Sequence, residues 1–254
     1  MRLRLTLPSL AMAVALAGTA AADETTFCNF FVTSLPFTAS AQGHYCLTQN
    51  LSTAITTGNA ITINSDFVVL DLNNFKLGGG SAGLATQTNG IFTNAHRNVT
   101  IRNGNIRGFK YGIRIDGSIG NSGGHLIENN LLDGNTFRGL QAIGDTMVVR
   151  NNTVSNTGGS TTDNNPYGIR IFGTSAQIVL VKENVVSNTF TMTGSSAVGI
   201  GYGNYLVSDH NLVRMGSVGS PYRVGIRAGL CRDDSVFGSD LAFQCSQAGN
   251  NFAP

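Results

Sequence analysis

Three arginines stand at the same place in a recurring phrase. YGIRI occurs at residues 111–115 and again at 167–171, and VGIRAG follows at 224–229, so Arg114, Arg170 and Arg227 each come two residues after a glycine. A guanidinium is a planar fork of donors that meets a carboxylate through two parallel bonds and keeps its charge at any ordinary pH. Such forks repeated at one structural position suit an extended ligand that carries acidic groups at intervals. Asp116 and Phe172 lie two residues beyond Arg114 and Arg170, and a looser copy of the phrase, GLQAI, puts Gln141 where the arginines stand. The Phe172 ring could stack on a sugar face. The alternative is a solvated wall, with the arginine stems covering apolar surface.

Other chemistry-bearing groups are dispersed. Asp71, Asp116, Glu128, Asp133, Asp145, Asp163, Glu183 and Asp209 are spread over the chain, and Asp233-Asp234 is the only Asp-Asp pair. A glycosidase needs two facing carboxylates and a calcium site needs several grouped oxygens, so neither is written in an obvious cluster. The histidines are isolated, and the pattern below puts His125 and His210 on outward or turn positions. Cys28, Cys46, Cys231 and Cys245 include no CxxC pair, so disulfides are expected rather than zinc, and no metal site is expected.

For the arginines to act together, the chain must bring residues 114, 170 and 227 into line, and its repeats do so. Gly90-Ile91, Gly112-Ile113, Gly139-Leu140, Gly168-Ile169, Gly199-Ile200 and Gly225-Ile226 recur at intervals of 22, 27, 29, 31 and 26 residues. A second unit interleaves with them: IRNGNI (101–106), IENNLL (127–132), VRNNTV (149–154), VKENVV (181–186), SDHNLV (208–213) and CRDDSV (231–236). Constant short strands joined by loops of changing length are the mark of a solenoid.

Strand alternation then fixes which way each residue points. Ile113, Leu140, Ile169, Ile200 and Ile226 form one inward column, and Ile115, Ala142, Ile171, Tyr202 and Ala228 a second. Ile101, Ile127, Val149, Val181, Ser208 and Cys231 form a third, beside Ile106, Leu132, Val154, Val186, Val213 and Val236. Arg102, Glu128, Arg150, Lys182, Asp209 and Arg232 point outward and pair opposite charges from coil to coil. Gly104, Asn130, Asn152, Asn184, Asn211 and Asp234 share a turn position, where left-handed backbone and side-chain hydrogen bonding are expected.

These units, with SLPFTASAQGHYCLTQNLS (34–52), ITINSDFVVLDLNNFKLGG (61–79), NGNIRGFKYGIRI (103–115) and the closing AGNN (248–251), resemble secreted bacterial right-handed parallel β-helix proteins of the pectate-lyase-like superfamily. The resemblance covers nearly all of residues 28–251. It implies an all-β, single-stranded right-handed parallel β-helix, and the repeats supply about seven rungs. That fold hosts lyases, hydrolases, epimerases and non-catalytic surface proteins, so it does not name an activity. The NTD, mid-chain DD, GHG and RIK motifs of polygalacturonase-like members are missing, as is the Asp-Pro-His-Asp motif of alginate epimerases.

Seven rungs about 4.8 Å apart separate the two chain ends by about 29 Å, too far for a disulfide, whose Cα atoms lie within about 7 Å. Cys28 should therefore pair with Cys46 and Cys231 with Cys245, one staple at each end. The longer loops SNTGGSTTDNNPY (155–167), SNTFTMTGSSAV (187–198) and RMGSVGSPYRV (214–224) stack into a ridge beside the Gly-Ile strands.

Residues 1–22 read as a signal peptide: Arg2 and Arg4 precede an apolar run too short to cross a bilayer, and Ala20-Ala21-Ala22 offers a cleavage site. The solenoid domain then covers residues 23–254, with an N-terminal cap at 23–60, rungs at 61–229 and the last rung with its cap at 230–254. Removing Arg2 and Arg4 changes 16 basic against 14 acidic residues to 14 against 14. A formally neutral chain excludes a general nucleic-acid binder. The reading is a monomer, secreted, periplasmic or at the cell surface and not membrane-spanning, that binds a polysaccharide or cell-surface glycan through Arg114, Asp116, Gln141, Arg170, Phe172 and Arg227, without a cofactor. The alternative is a lyase or epimerase of a uronate polymer, in which an arginine near Asp116 abstracts the proton and calcium is a possible cofactor.

Overall fold

The computed structural model describes residues 27–118, 120–173, 179–192, 196–201, 203, 205–216 and 222–253. The expected signal peptide, Tyr202 and parts of the two later long loops lie outside these residues. Every strand pairing among the described residues is parallel, and the helical content is one 3-10 turn at Gly80–Ala82. The chain winds as a parallel β-solenoid with three faces. The short face stacks eight strands, from Leu51–Ser52 to Ser235–Phe237, which makes seven steps of one coil each. The Gly-Ile face carries Tyr111–Asp116, Tyr167–Gly173 and Ala197–Gly201. The charged face carries Thr100–Arg102, Gly123–Glu128 and Val179–Lys182. Arg138–Arg150 and Arg223–Arg232 bend from the Gly-Ile face onto the charged face without a break.

The aliphatic columns fall inside as alternation requires. Ile113, Leu140, Ile169, Ile200 and Ile226 are fully buried in one continuous core with Ile101, Ile127, Val149 and Val181. Burial at roughly 1.5–3 kcal/mol for each such side chain makes this stack the main stabilising term. Cys28–Cys46 and Cys231–Cys245 close the two ends with Cα separations of 5.8 and 6.0 Å.

The glycine before each of these aliphatics has a packing reason. A Cβ on Gly168 would lie 2.4 Å from Cγ1 of Val186 and 2.7 Å from the carbonyl oxygen of Gly199. Gly139 and Gly199 meet the equivalent valine and the next glycine carbonyl at 2.4 and 2.7 Å. The backbone of each coil passes directly over a valine of the short face, leaving no room for a side chain.

The turn column differs from expectation. The left-handed residues are one position earlier, at Asn103, Asn129, Asn151, Glu183, His210 and Asp233, with φ of 52–56°. The residues after them point inward and form a buried ladder. Asn130 Nδ2 donates to Asn152 Oδ1 (3.1 Å), Asn152 to Asn184 (3.0 Å), Asn184 to Asn211 (3.0 Å) and Asn211 to Asp234 Oδ1 (3.0 Å). Each of these oxygens also accepts the backbone N–H of the preceding rung, and Asn251 accepts that of Asp234 at 3.0 Å. The ladder satisfies corner groups that water cannot reach.

The charged face pairs as three separate bridges. Arg102 meets Asp71 at 2.7 Å, Arg150 meets Glu128 at 2.7 Å, and Arg232 grips Asp209 through two nitrogens at 2.7 and 3.0 Å.

Gly168→Ala should lower stability by about 2–3 kcal/mol, the cost of overpacking a filled interior, as read by chemical denaturation with the disulfides intact. An unchanged midpoint would mean that the coils can separate there. Asp234 tests the ladder differently. Burial raises its carboxyl above the ordinary value, so the folded chain holds that proton more tightly than the unfolded one. The stability this contributes is present below the unfolded pKa and is lost as pH rises through the folded value. Asp234→Asn should therefore stabilise the protein at pH 7 by about 1 kcal/mol. The gain should shrink as pH falls toward 4, whereas a gain independent of pH would remove the carboxylate as its cause.

Candidate functional site

The outward column of the Gly-Ile face runs Phe92, Arg114, Gln141, Arg170, Gly201, Arg227 and Gln244, one residue per coil. Alternation turns these side chains away from the core and the inter-coil hydrogen bonds hold them about 4.8 Å apart, with Gln141 covered by its neighbours to 4% exposure. Five of the six expected site residues form one cluster.

Gln141 is its hub. Its Oε1 accepts hydrogen bonds from Nη1 of Arg170 (3.0 Å) and from Nη1 of Arg138, while its Nε2 donates to Asp116 Oδ1 at 3.2 Å. Asp116 Oδ2 pairs with Arg114 Nη2 at 2.7 Å. Phe172 does not offer a free ring, because the Arg170 guanidinium lies 4.2 Å from its centroid. Arg227 is set apart, two coils beyond Arg170 across Gly201, with its Nε on Gln244 Oε1 at 2.6 Å.

Arg138 was not among the expected site residues. It belongs to the position just before the glycine column, where Asn89, Tyr111, Arg138, Tyr167, Val198 and Val224 align. Reading that position of the Gly-Ile repeats as well would have found it. Its guanidinium lies over Phe137 at 4.2 Å and between Tyr111 (5.5 Å) and Tyr167 (5.7 Å). Burial pushes its pKa down to about 10, the charge of Arg170 adds to this and that of Arg114 adds less, and the two tyrosines act in the opposite sense. Cation–π contact returns part of the desolvation cost, but the acceptor its Nη1 reaches is a neutral amide. Nε of Arg114 and Nε of Arg138 are both buried without a hydrogen-bond partner. Asp116 pairs directly with Arg114 alone, and Gln141 links that pair to Arg138 and Arg170.

The first long loop closes one side of this strip. Asp163 pairs with Lys110 at 2.9 Å and Thr162 accepts from Gln87 Nε2 at 2.9 Å. Burial alone would raise Asp163, but hydrogen bonds from Lys110 and Thr162 hold it below its ordinary value. Lys110 is thus neutralised beside Phe137, while Arg138 on the same ring is not.

Two other groupings have the residue types for chemistry but not the arrangement. His125 is buried, not outward as expected. It lies in the inward column of Met147, Val179 and Leu206, and burial pushes its pKa down to about 4. Its Nδ1 accepts from the Val99 N–H at 3.3 Å, so Nε2 carries the proton and donates to Ser122 Oγ at 3.0 Å. A histidine in that tautomer cannot activate the serine. Asp209, His210 and Asp233 come within metal-binding reach of one another, yet both oxygens of Asp209 are already held by Arg232.

A recess of about 880 Å³ lies over the short face, away from the arginines. The arginine strip itself is an open surface running along the coil axis, a shape for a polymer rather than an enclosed small molecule. No protein-family model and no curated protein matches the chain. Among solved structures it is similar to the crystal structure of the Dettilon tailspike protein, at 12% identity and a TM-score of 0.40 over 88% of this chain. The match spans 61% of that protein's length.

Gln141→Glu should put a carboxylate in place of the amide oxygen that Arg138 and Arg170 both reach. Repulsion from Asp116 opposes this, but three cations outweigh two anions, and stability should rise by about 1–2 kcal/mol. A lower melting temperature would show that the arginines need no further negative charge.

Proposed function

We propose that this protein binds an acidic polysaccharide or cell-surface glycan along the Gly-Ile face. One observation carries the reading: Arg138 and Arg170 converge on the neutral carboxamide of Gln141, which Asp116 links to Arg114. An incoming carboxylate can take the place of the Gln141 oxygen and satisfy two forks at once. The rings of Tyr111, Phe137 and Tyr167 exclude water from the guanidiniums and strengthen such a contact. Arg227, two coils on, would take a second acidic group about 10 Å away along the same strip. With a formally neutral mature chain, attraction must come from this local excess rather than from net charge. Two disulfides fit an oxidising compartment outside the cytosol, and no helix among the described residues is long and apolar enough to cross a membrane.

The lyase or epimerase reading keeps one specific support. A carboxylate bound at the Gln141 oxygen would be held by Arg138 and Arg170, which would stabilise the charge that develops when a base removes the neighbouring proton. Arg138 itself, at a pKa of about 10, stays protonated at neutral pH. Asp116 alone, already paired with Arg114, does not make a calcium site on this face among the described residues.

Titration calorimetry with polygalacturonate, against a neutral glucan, tests the main reading. Binding should be confined to the acidic polymer and weaken with added salt. Arg138→Gln should reduce affinity at least tenfold, and Arg227→Ala less. Equal binding of the neutral glucan, or an Arg138 variant that binds as well as the parent, would move the site off this face. Ultraviolet absorbance from unsaturated uronate during the same incubation would favour the lyase.

A further inference from the structure

We propose that the short face is a self-association surface on which two copies pack with their solenoid axes antiparallel. The four strands from Leu131–Asp133 to Leu212–Arg214 point their first and third residues outward, which makes two columns. Leu131, Thr153, Val185 and Leu212 succeed one another in the first, and Leu131, Val185 and Leu212 are 36, 40 and 41% exposed. Asp133, Ser155, Ser187 and Arg214 succeed one another in the second.

The first column reads nearly alike from either end, and the second carries opposite charges at its two ends. A two-fold axis along the strand direction, midway between Thr153–Ser155 and Val185–Ser187, keeps each column over itself and reverses the order of the coils. Leu131 then meets Leu212 of the partner subunit, Thr153 meets Val185 of the partner subunit, and Asp133 meets Arg214 of the partner subunit. This self-complementarity is what an isologous interface requires. Asp133 keeps its Oδ1 on Ser155 and Asn156 (2.7 and 2.8 Å) and its Oδ2 in an ion pair with the exposed Arg107 at 3.4 Å, which Arg214 of the partner subunit would join. The exposed Arg214 side chain makes no ion pair among the described residues. The recess of about 880 Å³, lined by Val185, Leu212, Arg214 and Phe237, receives Leu131 of the partner subunit.

The axis so placed overlaps the last six of the eight strands, and six strands at about 4.8 Å with three residues of width give roughly 290 Å² of flat contact per copy. That is small beside the roughly 800 Å² per partner of a standard interface, so association is weak and concentration-dependent. The packing leaves the arginine strip uncovered, and a dimer presents two strips to one polymer.

Sedimentation velocity on the disulfide-intact protein, from about 10 µM to about 1 mM, reads the equilibrium directly. A dimer should grow in over that range. Arg214→Asp should weaken it at least tenfold, and adding Asp133→Arg to that variant should restore it. If the double variant disturbs the corner held by Asp133, shown by a lower melting temperature, Leu212→Asn serves instead and should also weaken the dimer about tenfold. A monomer at every concentration, or a dimer unaffected by Arg214→Asp, overturns the proposal.

Discussion

Everything else in this molecule depends on the register between successive coils, and the buried asparagine ladder is the interaction that fixes it. The oxygens of Asn152, Asn184 and Asn211 each take a side-chain N–H and a backbone N–H from the rung before. The amide nitrogens of Asn130, Asn152 and Asn184 each also reach a carbonyl two residues back in their own coil. A slip of one residue would leave all of these groups unpaired in an interior without water, at about 1–3 kcal/mol each. Loop length can therefore vary by nine residues between repeats while the strands stay aligned. The glycine column adds the complementary constraint by letting the coils approach closely on the neighbouring face.

Register then decides what each column of charge does. On the charged face it brings acid beside base, and the arginines are neutralised in pairs. On the Gly-Ile face the same spacing brings Arg114, Arg138 and Arg170 round one glutamine. Like charges gathered in a partly dry setting oppose folding, as the lowered pKa of Arg138 records. The fold pairs its arginines with acids on one wall and gathers them on another, which separates a structural ladder from the proposed binding strip.

The three walls divide the work. The charged face and its corner hold the coils together, the Gly-Ile face offers an electropositive strip with aromatic backing, and the short face carries an aliphatic stripe with opposite charges toward its ends. A solenoid permits this because each coil contacts mainly its neighbours, so outward positions vary column by column without disturbing the core.

The sequence by itself determined the repeats, the inside and outside of nearly every strand, the disulfide pairing and the line of Arg114, Gln141 and Arg170, because strand alternation and constant motif spacing are local properties. It also held the signal for His125, which stands two residues before Ile127 and so faces inward with it, but a polar type obscured the pattern. Tertiary structure alone decided the rest. Which of two adjacent corner residues turns left-handed depends on what the next coil offers to bond, and that shifted the turn from Asn130 to Asn129. Arg138 became the centre of the site through rings and charges brought from Tyr111, Phe137, Tyr167 and Arg170. Desolvation is a sum over neighbours from different coils, and no position in the sequence carries that sum.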